Sequence, residues 1–236
     1  MTTKMSKRGI DVSEFNGVID WDKVKASGLV DFAILRCSLG WTDGDVNIRR
    51  DKRFLDNVFG CEMAGIPYGV YHYSYCLKPE NEIKEAEYVI RNLEGFVPTL
   101  GVWFDIEANE QIPLGKTNLT KMTKTFCDTL KAAGREPGVY SYLSWLNNYL
   151  DMDALKDYPV WLAQTQVKKP TYKGDIAMWQ YAWDGKIPGI NGAVDLDELY
   201  VDSAQKIGYN DIVDYLSDII DRLQKLREDI STWQSI

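Results

Sequence analysis

The feature that most constrains the fold of this chain is an alternation between short apolar runs and segments with helical spacing. Before residue 151, five apolar runs are each followed by a segment in which apolar side chains recur every three or four positions. In the first pair, Asp20 precedes the helical segment and can cap its amino end. The pattern predicts strands at 9–12, 32–37, 68–75, 100–107 and 138–141, each followed by a helix, at 21–27, 51–64, 80–93, 118–133 and 144–150.

The pattern changes after residue 150. Three further strand-like runs, at 160–163, 176–181 and 194–196, are separated by segments with little helical character. Five β–α units followed by three helix-poor strands favour an α/β fold, an irregular (β/α) barrel. We divide the chain into a barrel, residues 1–203, and a C-terminal amphipathic helix, residues 204–236.

The C-terminal segment has its own periodicity. Its apolar residues follow one another at alternating steps of four and three, as in a heptad repeat: Ile212, Leu216, Ile219, Leu223, Leu226, Ile230 and Trp233. Such spacing predicts self-association through residues 209–234 as a coiled coil. Packing of the same helix on the barrel is the alternative, since three heptads are marginal in isolation.

Charge and hydropathy exclude several function classes. The formal net charge of −8 opposes nucleic-acid binding, which needs a basic face. No run of about 18 apolar residues exists to span a membrane. The polar first eight residues lack the apolar region of a secretory signal, so we expect synthesis in the cytoplasm without a signal peptide.

The chain is poor in clustered metal ligands. It contains one histidine, His72, and four cysteines with no CxxC pair. We therefore expect neither a metal nor a cofactor. The cysteines each lie in an apolar neighbourhood, which predicts reduced core residues at Cys37, Cys61, Cys76 and Cys127.

Acidic residues interrupt the predicted strands at their ends. Asp105 and Glu107 close one apolar run, and their i, i+2 spacing puts both carboxylates on one face of a strand. Asp11 and Asp195 occur within two other short apolar strands. Burial and mutual repulsion raise the pKa of one carboxyl in such a group, which is what a general acid beside an ionised partner requires. We predict that these four residues are catalytic.

Aromatic and amide side chains occur at similar positions and are candidates for binding sugar rings. Because neighbouring residues of a strand point to opposite faces, His72 cannot share a face with Tyr71 and Tyr73. We expect the tyrosines to face the cleft. The substrate-binding candidates from the strands are Tyr71, Tyr73, Tyr140, Trp161, Trp179 and Gln180.

An ordered set of segments between about residue 8 and residue 202 resembles the family 25 glycoside hydrolases, the Chalaropsis-type lysozymes of phage endolysins and bacterial autolysins. The DxE pair alone is weak support, whereas the order and spacing of the whole set are specific. The matching segments are 9–13 (GIDVS), 16–17 (NG), 33–36 (AILR), 66–73 (IPYGVYHY), 104–107 (FDIE), 137–141 (PGVYS), 160–163 (VWLA), 178–181 (MWQY) and 194–197 (VDLD).

The resemblance implies a lysozyme that cleaves the β-1,4 bond between N-acetylmuramic acid and N-acetylglucosamine in bacterial peptidoglycan, without a cofactor. By analogy Glu107 is the general acid, and Asp105 stabilises charge at the reacting carbon or orients the acetamido group. Asp11 and Asp195 complete the negative cluster. Arg36, within a matching segment, joins the substrate-binding candidates. Whether the second step uses an aspartate nucleophile or the acetamido group stays open.

Two other functions remain alternatives. A chitinase-like barrel of glycoside hydrolase family 18 would carry DxDxE on its fourth strand, but residue 103 is a tryptophan. A catalytically silent barrel that binds cell-wall carbohydrate would need neither Asp105 nor Glu107. The family often carries a separate wall-binding module, and the heptad segment is our candidate for replacing it through avidity.

Overall fold

A computed structural model of the chain describes residues 6–40 and 48–200, and these contain nine strands and five α-helices. The strands are β1 Ser6–Val12, β2 Phe32–Leu39, β3 Arg49–Arg50, β4 Tyr68–Tyr73, β5 Val102–Asp105, β6 Pro137–Tyr142, β7 Val160–Ala163, β8 Met178–Gly185 and β9 Val194–Tyr200. The helices are α1 Trp21–Ala26, α2 Phe54–Ala64, α3 Glu82–Asn92, α4 Gly115–Ala132 and α5 Leu143–Asn148. Three short 3-10 helices lie at Glu14–Asn16, Pro79–Asn81 and Asn109–Leu114.

Eight of the strands close into a barrel in the order β1-β9-β8-β7-β6-β5-β4-β2, and the parallel pairing of β1 with β2 completes the ring. The short β3 is added outside the ring, antiparallel to β2. All barrel neighbours are parallel except β9, which runs antiparallel to both β1 and β8. The predicted irregular barrel, with five β–α units and then three helix-poor strands, is confirmed.

Strand alternation divides the apolar residues into an outer and an inner core. On β5, Val102 and Phe104 belong to the outer core beneath the helices, whereas Trp103 points into the barrel. The inner core fills the barrel with side chains from several strands, among them Phe32, Ile34, Tyr71, Trp103, Tyr140, Trp161, Met178 and Leu199. Because side chains fill the interior, a ligand can bind only at the rim of the barrel.

Some element boundaries differ from the predicted ones. Helix α2 begins at Phe54 rather than at residue 51, because the buried carboxylate of Asp51 accepts hydrogen bonds from Arg36 Nε and from the backbone N–H of Arg53. Strand β5 ends at Asp105, so Glu107 lies just beyond it. The strand β3 had no signal in the sequence pattern because it is only two residues long.

The described residues also bear on other expectations. All four cysteines are free and buried. Within residues 6–40 and 48–200, every helix is too short or too polar to cross a bilayer. The predicted C-terminal helix and its coiled coil lie outside the described residues.

Candidate active site

The barrel brings five carboxyl groups together at the carboxyl ends of its parallel strands. Asp11 is on β1, Asp105 ends β5, and Glu107 follows it. Because β9 runs against its neighbours, its first residues lie at this same end, and Asp195 pairs directly with Asp11. Asp197 follows two positions later and therefore points to the same face. The cluster thus combines residues that are up to 186 positions apart in sequence.

Hydrogen bonds from neighbouring strands fix the orientation of the inner carboxylates. Gln180 Nε2 donates to Asp11 Oδ2 at 2.7 Å, and the Tyr140 hydroxyl donates to Gln180 Oε1 at 2.9 Å. Trp161 Nε1 donates to Asp197 Oδ1 at 2.8 Å. These bonds join three strands, β6, β7 and β8, to the carboxylates on β1 and β9, so the inner carboxylates sit on a rigid frame.

Glu107 has the electrostatic properties of a proton donor at neutral pH. Burial is the main cause that raises its pKa to about 7; the hydrogen bond with Tyr140 lowers it and the charge of Asp195 raises it further. The pKa of Asp105 is also raised, first by burial, then by the charges of Glu107 and Asp11. The two residues therefore cannot both ionise freely.

The other three carboxyl groups have raised pKa values as well. Burial raises the pKa of Asp195 to about 6 and that of Asp197 to about 8. For Asp11, burial is the largest cause, followed by the charges of Asp197 and Asp195. The cluster therefore holds protonated and ionised carboxyl groups together near neutral pH, as acid-assisted cleavage of a glycosidic bond requires.

Two oxygen atoms of the DxE pair have no hydrogen-bond partner in the described part of the chain. Asp105 Oδ1 and Glu107 Oε2 are both buried and unbonded. Buried polar atoms are nearly always hydrogen-bonded in folded proteins, so an oxygen without a partner adds to the cost of ionising its carboxyl group. Asp197 Oδ2 of the same cluster shares this property, as do both carboxyl oxygens of Glu82 on α3, away from the cluster.

Three of the predicted substrate-binding aromatics line the inner face next to the carboxylates. Tyr71 and Tyr140 are part of the inner core, and the charges of Asp11 and Asp105 act on both hydroxyls. Burial and then the Asp105 charge raise the pKa of Tyr73. Trp161 lies deeper, at 1% exposure, beneath the ring of Tyr140. Its position suits a support for Asp197 and Tyr140 rather than direct contact with a ligand.

Trp179 differs from its expected position. Because it neighbours the inward-facing Gln180, strand alternation turns it outward. Its indole packs in the outer core, and its Nε1 donates to the backbone carbonyl of Gln164 at 2.7 Å. This placement separates Trp179 from the carboxylates.

The single histidine also faces outward, as its alternation with the two tyrosines indicated. His72 is completely buried, with Nδ1 2.8 Å from Ser38 Oγ and Nε2 2.8 Å from Glu85 Oε2. Its ring stacks on Phe126 of α4. His72 therefore joins β2 and β4 to α3 and α4 rather than facing the cleft.

Arg36 lies at the edge of the site within a network of its own. Its Nε donates to Asp51 Oδ2 at 2.7 Å, and its NH2 group is 3.5 Å from Glu14 Oε1. Its positive charge lowers the pKa of Asp105 against the stronger effect of burial. The guanidinium also lies 5.0 Å from the centre of the Phe15 ring, which is 83% exposed.

The sequence-based selection missed several residues at this end of the barrel. Asp197 was passed over although its spacing from Asp195 repeats that of Asp105 and Glu107. Tyr142 and Trp183 were also missed: they are exposed aromatics on β6 and β8. Their exposure depends on loops and strand ends, for which the sequence pattern gave no signal.

Comparisons of the sequence with known proteins identify a family and several relatives. The model of glycosyl hydrolases family 25 matches residues 10–190. The autolytic lysozyme of Clostridium acetobutylicum is 29% identical over 193 residues, which cover 81% of this chain and 55% of that protein. Lysozyme M1 of Streptomyces globisporus is 30% identical over 205 residues, covering 80% of this chain and 66% of the relative.

A solved structure of a bacterial autolysin has a similar fold. The modular autolysin LytC from Streptococcus pneumoniae superposes with a TM-score of 0.71 at 29% identity, covering 85% of this chain and 48% of that one. The chain thus spans between about half and two thirds of the length of these relatives. Because the family model covers most of the chain and the carboxylates converge at the rim of the barrel, the chain belongs to glycosyl hydrolases family 25.

Proposed function

We propose that this protein is a lysozyme that hydrolyses the β-1,4 bond between N-acetylmuramic acid and N-acetylglucosamine in bacterial peptidoglycan. The observation that carries the proposal is Glu107, a half-buried carboxyl with a pKa of about 7 beside Asp105 in a rim of carboxylates. The names of two relatives as lysozymes support it. LytC, a structural neighbour, has been crystallised in complex with a synthetic peptidoglycan ligand.

In the proposed reaction Glu107 donates its proton to the leaving glycosidic oxygen. Asp105 stabilises the positive charge that develops at the sugar or orients the substrate's acetamido group. The charge of Asp195 favours the protonated form of Glu107. Asp11, held by Gln180, completes the carboxyl cluster. Two routes remain for the group that bonds to the anomeric carbon as the leaving oxygen departs: an aspartate, or the substrate's own acetamido group. Water then breaks that new bond and releases the second product.

Substitution of the acid tests the assignment. Glu107→Gln keeps the shape of the side chain but removes the proton, so clearing of purified Gram-positive walls should fall by several orders of magnitude. Asp105→Asn should also be severe. Glu110→Gln is a matched control, since Glu110 is exposed and lies three residues further on. A Glu107→Gln protein that clears walls at a near-normal rate would remove Glu107 from the mechanism.

The two alternatives predict different activities. A chitinase-like enzyme would cleave chitin oligomers in preference to peptidoglycan. Its additional acid has no counterpart here, because Trp103 is buried at this position with its Nε1 bonded to the carbonyl of Leu100. A silent binding barrel would bind walls without releasing fragments, so a null turbidity assay with retained wall binding would favour it.

We also propose that the protein acts on the bacterial cell wall after release from the cytoplasm and that residues 209–234 mediate self-association. Several linked wall-binding sites would then act together through avidity. Leu216→Glu with Leu223→Glu in the full chain should reduce the mass measured by light scattering, whereas Gln224→Glu, outside the apolar stripe, should not. A wild-type protein that is monomeric at micromolar concentration would contradict self-association.

A further inference from the structure

A second concave site lies at the end of the barrel opposite the carboxylate cluster. It is a cavity of about 350 Å³ at the amino ends of β6, β7 and β8. Its floor consists of buried, mainly apolar residues that begin or precede these strands: Pro137, Leu155, Tyr158, Val160 and Ala177. None of the lining residues belongs to the carboxylate cluster. Its volume is at the lower end of the range for small-molecule sites.

The rim of this cavity is charged. Four exposed carboxylates surround it, at Glu136, Asp153, Asp157 and Asp175, together with two exposed ammonium groups, at Lys131 and Lys156. In the part of the chain that the structure describes, none of these six groups forms an ion pair with another residue. The rim therefore offers charges of both signs to a ligand, with an excess of negative charge.

Tyr172, a half-buried aromatic residue, also lines the cavity. Burial raises the pKa of its hydroxyl, and the charge of Asp153 raises it further, so this carboxylate is within electrostatic range of the ring. The tyrosine packs close to Gly174, where an added Cβ would lie 2.6 Å from Tyr172 Cε1. An aromatic wall beside carboxylates is favourable for an ammonium group on an aliphatic chain.

We propose that this cavity binds the peptide part of peptidoglycan through the aliphatic ammonium side chain of its diamino acid. The methylene groups pack on the apolar floor, the ammonium group meets the rim carboxylates, and Lys131 and Lys156 face the carboxylates of the peptide. The inference rests on the proposed peptidoglycan substrate. A neutral sugar could pack on the floor but would form no ion pair with the six rim charges.

The location of the cavity gives it a role separate from cleavage. Contacts with exposed charges are individually weak, so one peptide should bind with low affinity. A cell wall presents many such peptides, and occupation of both ends of the barrel would keep the enzyme on the wall between cuts.

The test uses the full-length wild-type protein and a soluble peptide. The probe is a synthetic stem-type tetrapeptide, L-alanyl-γ-D-glutamyl-L-lysyl-D-alanine, and its control is the same peptide with the lysine Nε acetylated. Titration followed by NMR should give saturable shifts of the backbone amides of Tyr172 and Gly174 with the free amine at millimolar peptide. The acetylated peptide should bind several-fold more weakly.

Substitution of two rim carboxylates makes the test specific. Asp153→Asn together with Asp175→Asn should weaken binding of the free amine by about fivefold, while Glu87→Gln, an exposed acid on α3, should leave it unchanged. Equal binding of the two peptides, no saturable shift, or unchanged affinity in the double variant would overturn the proposal. The peptide contains no glycosidic bond, so these results do not depend on whether the enzyme cleaves glycan.

Discussion

Replacement of Asp197 by asparagine tests whether the innermost carboxyl group of the cluster is neutral in the folded protein. Asp197 is completely buried, and burial raises its pKa from 3.8 to about 8 although the hydrogen bond from Trp161 opposes the shift. Asparagine has nearly the shape of the protonated acid. Its side-chain oxygen can still accept the bond from Trp161 Nε1.

The size of the effect follows from the two pKa values. In the unfolded chain Asp197 ionises near 3.8, whereas in the folded protein it keeps its proton up to about 8. Between these values unfolding releases the Asp197 proton, so this one group lowers the stability of the wild-type protein by about 1.4 kcal/mol for each unit by which the pH rises. The variant has no such proton. From pH 4 to pH 7 its free energy of unfolding should therefore increase by about 4 kcal/mol relative to the wild type.

Urea unfolding at pH 4 and pH 7, followed by tryptophan fluorescence, measures this difference. Glu87→Gln is the control, because Glu87 is exposed on α3 and its substitution should give the same difference at both pH values. The reasoning is refuted if the advantage of Asp197→Asn does not grow with pH. A disadvantage that grows with pH would mean that Asp197 is ionised and stabilised by its partners.

Three other predictions concern the acid, the buried histidine and metal dependence. Glu107 must be protonated to act and has a pKa of about 7, so kcat/KM measured on soluble glycan should fall as the pH rises above this value. A flat pH profile up to pH 9 would contradict its role. Glu85→Ala removes the hydrogen-bond partner of His72 Nε2 and should lower the free energy of unfolding in urea by about 1–3 kcal/mol. Glu85→Gln should give a smaller loss. Equal losses in the two variants would mean that the hydrogen bond is unimportant. EDTA should leave activity unchanged, since proton transfer between carboxyl groups and substrate needs no ion, and loss of activity restored by zinc would overturn the mechanism.

Strand alternation made much of the barrel and part of the site predictable. The spacing of Asp105 and Glu107, and the alternation of His72 with Tyr71 and Tyr73, depend only on the geometry of a single strand. The five β–α units were visible because apolar spacing changes between strand and helix. These features depend on residues that are close together in the chain, so a single sequence is enough to predict them.

Features that depend on contacts between distant segments could not be obtained in this way. Asp51 was assigned to a helix because nothing near it in sequence reveals that it binds Arg36. Trp179 was assigned to the cleft from its position on a predicted strand, although its neighbour Gln180 occupies that face. The antiparallel direction of β9 brings Asp197 beneath Asp11, and no local pattern gives the direction of a strand.

The most direct test of the proposed activity is mass spectrometry of the fragments that the full-length enzyme releases from purified peptidoglycan. Cleavage between N-acetylmuramic acid and N-acetylglucosamine, as proposed, leaves muramic acid at the reducing end of every new fragment. Glu107→Gln should release such fragments several orders of magnitude more slowly. Fragments with glucosamine at the reducing end would contradict the assignment and move the enzyme to a different class of glycosidase.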